Sequence, residues 1–402
     1  MYLTHLSLTN FRSFTRLDMD IPRRTLLLTG DNAQGKTSVL EAVYYLATFS
    51  SFQAQTDRQL INFLAGQDPL AVGRLVAEYQ RGVSHHHLEV RLIQEMNGTG
   101  TRFRKEILLD GVKRSVYEAT GHFTAVIFLP QMTRIIDGSP EERRRYLNLA
   151  LAQAVPGYAQ ALSDYSRALE QRNALLKQLG ERGGDPDQLL FWDAILSDKG
   201  ALLLHSRIAA VHELERLAAR IHARLTNQLE VLQIVFRPSF DPLPQPAGQF
   251  ALPMATPVNR AGINREQIRQ GLMDRLASLR NEEIARGVTT IGPHRDEMRF
   301  LSNGIDMGDF GSRGQVRTGL LSLKLAEALW FRERTGQWPV ILLDEILAEL
   351  DDHRRADLLD YLGESEQTLL TTTDLKLFSE DFVRSSTVWQ VTQGVVVPRP
   401  AV

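Results

Sequence analysis

Residues 30–37 read Gly30-Asp31-Asn32-Ala33-Gln34-Gly35-Lys36-Thr37. No other segment constrains the chain as much, because this octet satisfies the whole phosphate-loop pattern G-x-x-x-x-G-K-[ST]. Gly30 and Gly35 let the backbone curl so that successive N–H groups point inward at phosphate oxygens. Lys36 reaches toward the β- and γ-phosphates, and the Thr37 hydroxyl is a Mg²⁺ ligand. The flanks agree with this. Arg24-Thr25-Leu26-Leu27-Leu28-Thr29 reads as a short buried strand, and Ser38 to Ala47 as a helix. A helix starting at the loop aims its positive dipole end at the phosphates.

Such a loop needs an acid at the end of a second buried strand to hold the metal. Val340-Ile341-Leu342-Leu343-Asp344-Glu345 supplies it. Four apolar residues bury the strand, and Asp344 stands at its carboxyl end, where α/β sheets place ligands. Glu345 follows, positioned to polarise an attacking water as general base. About 300 residues lie between the two halves of the site. The reading is one nucleotide-binding domain split by a long insertion, with residues 1–138 and 287–402 as its lobes and 139–286 as the insert.

The composition along the chain fits that division. Leu3 to Leu8 and Arg16 to Ile21 alternate with period two. Ala71 to Tyr79, Leu88 to Ile93, Arg102 to Leu109 and Ala125 to Phe128 are further strand candidates, with Asn97-Gly98 and Asp110-Gly111 as turn signals. Ser139-Pro140-Glu141-Glu142 is a helix start. From there to about residue 232 the pattern is helical. Leu162, Leu169 and Leu176 recur every seven residues, as do Tyr158, Tyr165, Arg172 and Leu179, with Arg172 interrupting the apolar series. Two readings fit this seam: a hairpin of antiparallel helices, or an ordinary helical bundle. Residues 237–257 are Pro-rich and read as a loop, and Asn264 to Arg286 as a helix. Beyond 287 the expected elements are a helix over Gln315 to Arg334, a strand over Pro339 to Leu343, a helix over Asp352 to Leu362, and strands over Gln367 to Thr373 and Thr387 to Val397.

Several function classes are excluded. The 402 residues contain no cysteine, so disulfides, thiolate metal sites and cysteine nucleophiles are absent. No apolar run reaches membrane-spanning length, and the first residues lack a secretory pattern, so a cytoplasmic protein without a membrane partner is expected. Net charge is −2, so any nucleic-acid surface has to be a local patch. Arg102, Arg104, Lys105, Lys113 and Arg114 are the densest basic cluster of the β region. Phosphate contact and the ordinary charge of an exposed hairpin both account for it. His85-His86-His87 alternate across a strand and cannot share one tetrahedral ion well.

Gly311-Ser312-Arg313-Gly314-Gln315 is a small-residue turn at a helix start, chemically a second anion site. Residues 30–37 already cradle the first phosphate. Ser312, Gly314 and Gln315 therefore read either as a cap on the γ-phosphate of another copy, or as a plain helix cap.

In this order (phosphate loop, long insert, Ser-x-Gly-Gln turn, helix, Ile-Leu-Leu-Asp-Glu) the chain resembles the ABC-type ATPase heads of the SMC group, and within it the RecF family. Leu8-Thr9-Asn10-Phe11-Arg12-Ser13-Phe14 is similar to that family's opening. Phe128-Leu129-Pro130, Gly138-Ser139-Pro140, Arg143-Arg144-Arg145-Tyr146-Leu147 and Gly292-Pro293-His294-Arg295-Asp296 resemble its more specific motifs. The resemblance implies an α/β fold: an ABC-type ATPase head with an inserted helical arm. It implies ATP and Mg²⁺ as cofactors, with Thr37 and Asp344 on the metal, and an ATP-dependent homodimer on gapped or single-strand/double-strand junction DNA. Weak, DNA-stimulated hydrolysis would act as a switch, with RecO and RecR as partners in loading RecA. It assigns Ser312, Gly314 and Gln315 to the signature turn acting in trans, Gln131 to the Q-loop, Asp351 to the D-loop, and Thr371-Thr372-Thr373 to the switch position. The signature Gly-Ser-Arg-Gly-Gln departs from the transporter Leu-Ser-Gly-Gly-Gln, which argues against a transporter subunit. Gln131 stands where many relatives carry Glu, and the switch lacks the transporter His. An SMC-like tether would need longer heptad arms, and a nuclease-coupled ATPase a further carboxylate cluster. His294 and Arg295 read either as a site near phosphates or an interface, or as a buried turn paired to Asp296.

Overall fold

Alternating apolar and polar residues build the first strands. The computed structural model describes residues 1–97, 100–243, 260 and 262–398. β1 (Tyr2–Phe11) and β2 (Phe14–Asp20) form a hairpin, and each buries its apolar positions on one face. β3 (Arg24–Thr29) instead has its last four residues buried, as expected of a central strand covered on both faces. The helix Lys36–Thr48 follows the phosphate loop, and every residue from Val39 to Thr48 is buried. β4 (Leu70–Arg81), β5 (Ser84–Asn97), β6 (Gly100–Leu109) and β7 (Val112–Arg114) form an antiparallel meander. Asp110-Gly111 makes the last turn, both residues at positive φ. Gly98 of the expected earlier turn lies outside the described residues. β8 (Ala125–Phe128) is a fully buried run of four.

A helical block then begins at Ser139. Its side chain accepts from Glu142 N–H while Glu142 reaches back, a capping box that stabilises a helix start by about 1 kcal/mol. Helices span Pro140–Ala154, Tyr158–Arg182, Leu189–Leu225 and Arg265–Arg286. The last three pack on one another, so the seam belongs to a three-helix packing, not a bare hairpin. Tyr158, Tyr165, Arg172 and Leu179 all lie on the buried face, whereas Leu162 and Leu169 are half-buried. Arg172 does not interrupt this face. It is 0% exposed and pairs with Asp193 at 2.7 Å and Glu283 at 2.6 Å. Removing one member of such a buried cluster costs about 3–5 kcal/mol.

The same block holds a small sheet that the sequence pattern did not reveal. β9 (Leu232–Arg237), β10 (Glu297–Ser302) and β11 (Ile305–Asp306) pair antiparallel in the order β11-β10-β9. Of the expected Pro-rich loop, Arg237 ends β9 and residues 244–257 lie outside the described residues.

The helix Arg313–Thr335 leads to β12 (Val340–Asp344), the helix Asp352–Gly363, β13 (Gln367–Thr372), β14 (Thr387–Thr392) and β15 (Val395–Pro398). Two compact units result: Met1–Met132 with Lys324–Val402, and Thr133–Leu323. The first unit contains two six-stranded sheets, ordered β2-β1-β4-β5-β6-β7 and β15-β14-β3-β13-β12-β8. In the second of these, β14, β3, β13, β12 and β8 run parallel. Residues of both sheets and of the helix Lys36–Thr48 share one apolar core. That order sets β3 and β12 on either side of β13, which brings the phosphate loop and Asp344 to the same carboxyl edge.

Candidate nucleotide site

The loop after β3 is shaped by two glycines. Gly30 has φ +147°, and a Cβ there would meet Val391 O at 2.3 Å, so no side chain fits. Gly35 has φ +109°, with Ser13 Oγ and Phe14 Cζ each 3.1 Å from where a Cβ would sit. The loop is thus packed between the β1–β2 turn and β14. Gln34 adds a second hold: its Oε1 accepts from Gln393 N–H at 2.6 Å, and its carbonyl from Gly394 N–H at 3.2 Å. Neither contact with the β14–β15 turn carries a sequence signal, because both are made to backbone N–H groups. Asp31 and Asn32 are exposed on the loop, and Ala33 takes a left-handed φ of 63°.

Lys36 opens the helix and is 3% exposed. Its Nζ donates to Gly30 O at 2.7 Å and Asp31 O at 2.9 Å, and lies 3.2 Å from Glu345 Oε1. The ammonium is therefore aimed back over its own loop, where an anion on the helix N-terminus would meet it. Thr37 Oγ1 donates to Asp344 Oδ1 at 2.9 Å and Oδ2 at 3.0 Å, although the two residues stand 307 positions apart. Thr371, at the end of β13, completes the cluster. Its hydroxyl donates to Asp344 Oδ1 at 2.7 Å and accepts from Glu345 N–H at 3.1 Å.

Burial pushes the Asp344 carboxyl above its usual range, while the Thr371 and Thr37 hydroxyls pull it back. Neighbouring Glu345 pushes the same way as burial, and Lys36 opposes. A partly desolvated carboxylate beside a hydroxyl is an oxygen-only donor pair. It suits a hard cation that takes one or two protein ligands and completes its shell with phosphate and water. Among the described residues no cluster of three or more His, Cys, Asp or Glu could hold a metal alone. The residues therefore fit Mg²⁺ carried with a nucleotide, and not a protein-only cage. Glu345 adopts a left-handed φ of 51°, and its side chain is 38% exposed beside Lys36.

Gln131 lies in the turn Pro130–Thr133 after β8, whose Phe128 pairs with Leu343 of β12. It is exposed at the same sheet edge. Asp351 caps the helix Asp352–Gly363, accepting from Arg354 N–H at 2.9 Å. Ser312, Gly314 and Gln315 belong to the other unit. There Ser312 N–H donates to Gln315 Oε1 at 3.1 Å and Gln315 N–H to Ser312 Oγ at 3.2 Å, a reciprocal cap on the helix Arg313–Thr335.

Other motif residues serve the second unit's interior. Asp296 is buried and pairs with Arg207 at 2.8 Å, and its Oδ1 accepts from Ser239 N–H at 3.0 Å. His294 Nδ1 accepts from the Tyr165 hydroxyl at 2.8 Å, and desolvation lowers its pKa to about 4. The segment is a turn in which Asp296 is buried but pairs with Arg207, while Arg295 is exposed and donates to Thr289 O at 3.2 Å. Arg143 pairs with Glu297 at 2.7 Å, and Arg144 donates to Asp296 O at 2.9 Å. Four of the five residues of the expected basic cluster meet acids: Arg104–Glu95 at 3.1 Å, Lys105–Asp57 at 2.8 Å, Lys113–Glu106 at 3.1 Å and Arg114–Glu118 at 3.8 Å, while Arg102 is exposed. His85 and His86 likewise face Glu78 and Asp110. Among the described residues no helix is long and apolar enough to cross a membrane.

Known proteins share this chain's sequence and fold along its length. The profile of the RecF/RecN/SMC N-terminal domain matches residues 2–396. The DNA replication and repair protein RecF of Roseiflexus castenholzii is 38% identical over 99% of this chain and 100% of its own length. That of Chloroflexus aurantiacus is 37% identical over 98% and 99%. A solved structure of the recombination mediator protein RecF with ATP, from the RecFOR pathway, superposes with a TM-score of 0.82 at 27% identity, covering 99% of this chain and 97% of that one. An Smc head bound to the C-terminal winged-helix domain of ScpA shares the fold at a TM-score of 0.53 and 14% identity, covering 99% and 98%.

Proposed function

Because the chain belongs to the RecF family of SMC-type ATPases, we propose that it is an ATP-dependent DNA-binding protein of recombinational repair and replication. The observation that carries this is the meeting of the Thr37 hydroxyl with Asp344, fixed by Thr371 at the carboxyl edge of a parallel sheet. In this reading the ATPase head is built from the two ends of the chain, and the segment between them is an arm.

ATP binds with its phosphates on the loop Gly30–Thr37. Lys36 leaves its carbonyl partners for the β- and γ-phosphate oxygens, and backbone N–H groups of the loop and helix start donate to the rest. Thr37 and Asp344 would hold Mg²⁺, which would supply positive charge beside the γ-phosphoryl group. Glu345 takes the proton of the attacking water, and Gln131 orients that water. Ser312, Gly314 and Gln315 of one copy close over the γ-phosphate of another, so two copies sandwich two nucleotides. The closed dimer grips gapped or single-strand/double-strand junction DNA. Slow, DNA-stimulated hydrolysis releases it, and RecO and RecR work with it in loading RecA.

Sedimentation of the full chain with and without ATP and gapped DNA tests nucleotide, dimer and substrate together. The parent sediments as a dimer only with ATP. Lys36→Ala loses ATP binding. Ser312→Arg binds ATP but stays monomeric, and neither variant holds DNA stably. A Ser312→Arg chain that dimerises with ATP and binds gapped DNA like the parent would refute the composite site.

A further inference from the structure

The signature turn is not held by its own helix alone. The long helix Leu189–Leu225 ends at Thr226, and the chain reverses through Asn227 and Gln228, two successive residues at positive φ (50° and 61°). That reversal delivers Glu230 to a cluster drawn from separate elements. Its Oε2 accepts from the Ser302 hydroxyl at 2.8 Å and lies 3.3 Å from His222 Nε2. Its Oε1 accepts from Gln315 Nε2 at 3.4 Å.

The consequence for Gln315 is specific. An amide side chain has two ends that can exchange by a flip. Here Oε1 takes the Ser312 N–H, and Nε2 faces a carboxylate. A flipped amide would set a donor against a donor and an oxygen against an anion. Glu230 thereby fixes which end of Gln315 caps the turn. His222 makes a second attachment: its Nδ1 lies 3.0 Å from Ser322 Oγ, on the same helix as Gln315 and about two turns along it. Ser322 and Thr318 bond back to carbonyls one turn earlier, at Thr318 and Gly314, so the grip runs down to the signature glycine. Hydrogen bonds from Ser302, His222 and Gln315 outweigh burial and keep the Glu230 carboxyl below its usual range, so it is an anion when it accepts them.

We propose that Glu230 is a positioning residue for the signature turn: it orients the Gln315 amide and, with His222, clamps that turn to the end of the long arm helix. The γ-phosphate-binding surface and the arm then move as one body. This rests on the reading above, in which Ser312 and Gln315 meet a partner's nucleotide. It adds a residue that touches neither nucleotide nor metal in that reading, and gives a physical link between arm and nucleotide.

The test uses the full chain with ATP and Mg²⁺, measuring ATP affinity by equilibrium dialysis, kcat and KM by phosphate release, and dimerisation by sedimentation. Glu230→Ala should keep the ATP affinity of the isolated protomer within about twofold, lower kcat about tenfold, and shift dimerisation to higher protein concentration. Glu230→Gln keeps an oxygen that accepts from Gln315 Nε2, and should recover most of the lost kcat. Ser312→Arg, run alongside, separates two failures. If Ser312→Arg still dimerises with ATP, the composite site is wrong. If Ser312→Arg fails to dimerise while Glu230→Ala turns over like the parent, only the role of Glu230 falls. Glu230→Gln as impaired as Glu230→Ala, with a parental melting temperature, would also overturn it.

Discussion

Thr371→Val replaces one hydroxyl with a methyl group and leaves the shape of the side chain almost unchanged. The hydroxyl is 2.7 Å from Asp344 Oδ1 and 3.1 Å from Glu345 N. Its loss removes a donor from the Asp344 carboxylate and an acceptor from the Glu345 N–H. A hydrogen bond to a charged group contributes about 1.5–3 kcal/mol, and a buried polar group left unpaired costs a similar amount. Much of this strains the site without unfolding β13, because Thr371 keeps its strand pairings to Asp344 and Leu28. If about 2 kcal/mol of it appears in the transition state, kcat falls about thirtyfold at 1.36 kcal/mol per decade. The Asp344 carboxyl, already raised by burial, loses one of the donors holding it down. It therefore protonates at higher pH, and the acid limb of the turnover profile moves upward. Thr371→Ser restores the hydroxyl and should lie within about threefold of the parent. The assay is ATP hydrolysis across a Mg²⁺ titration and from pH 5 to 8, with ATP binding measured separately. A valine variant with the parent's kcat, Mg²⁺ dependence and acid limb would show that Thr371 does not organise Asp344 and Glu345.

Glu345→Gln should bind ATP and Mg²⁺ but lose about 10²–10⁴-fold in turnover, and accumulate as the ATP-bound dimer; parental turnover would assign the base elsewhere. His294 makes stability pH-dependent. Its folded pKa of about 4 lies below the usual 6.5, so the unfolded chain binds the proton first as pH falls. The contribution is whole above about pH 6.5 and is lost progressively down to about pH 4, up to about 3 kcal/mol in all. Denaturant melts of the parent and of His294→Gln between pH 4 and 7 check this: the variant should lose less stability across that window, and equal losses would remove His294 as the cause.

The loop after β3 and the strand ending in Asp344-Glu345 were legible because their signals are local. Four apolar residues and an acid, or two glycines and a lysine, are fixed by the bonds that neighbouring residues must make. Arg172 was not legible in this way. Its partners Asp193 and Glu283 sit on two other helices, and no spacing along one helix shows that a charge in an apolar series has acids waiting across the packing. The strands β9 and β10 escaped for a similar reason. Leu232–Arg237 is short and follows a long helical run, and its partner Glu297–Ser302 lies some sixty residues on. Thr371 was read as a switch position without its usual histidine. The hydroxyl's contacts to Asp344 and Glu345 depend on the register between β12 and β13, which sequence alone does not set.

Strand β3 has a history that its finished position conceals. It lies between β13 and β14, both of which come more than 300 residues later in the chain. During translation at about 5–20 residues per second, the apolar strand Leu26-Leu27-Leu28 therefore waits on the order of tens of seconds for either neighbour. The unit Thr133–Leu323 is contiguous in sequence, so all of it is made before β13 and β14. The phosphate loop cannot take its final shape until Gln393 and Gly394 have emerged to hold Gln34. A nascent chain that stops between Leu323 and β13 thus holds the contiguous unit Thr133–Leu323 and leaves both flanks of β3 unpaired.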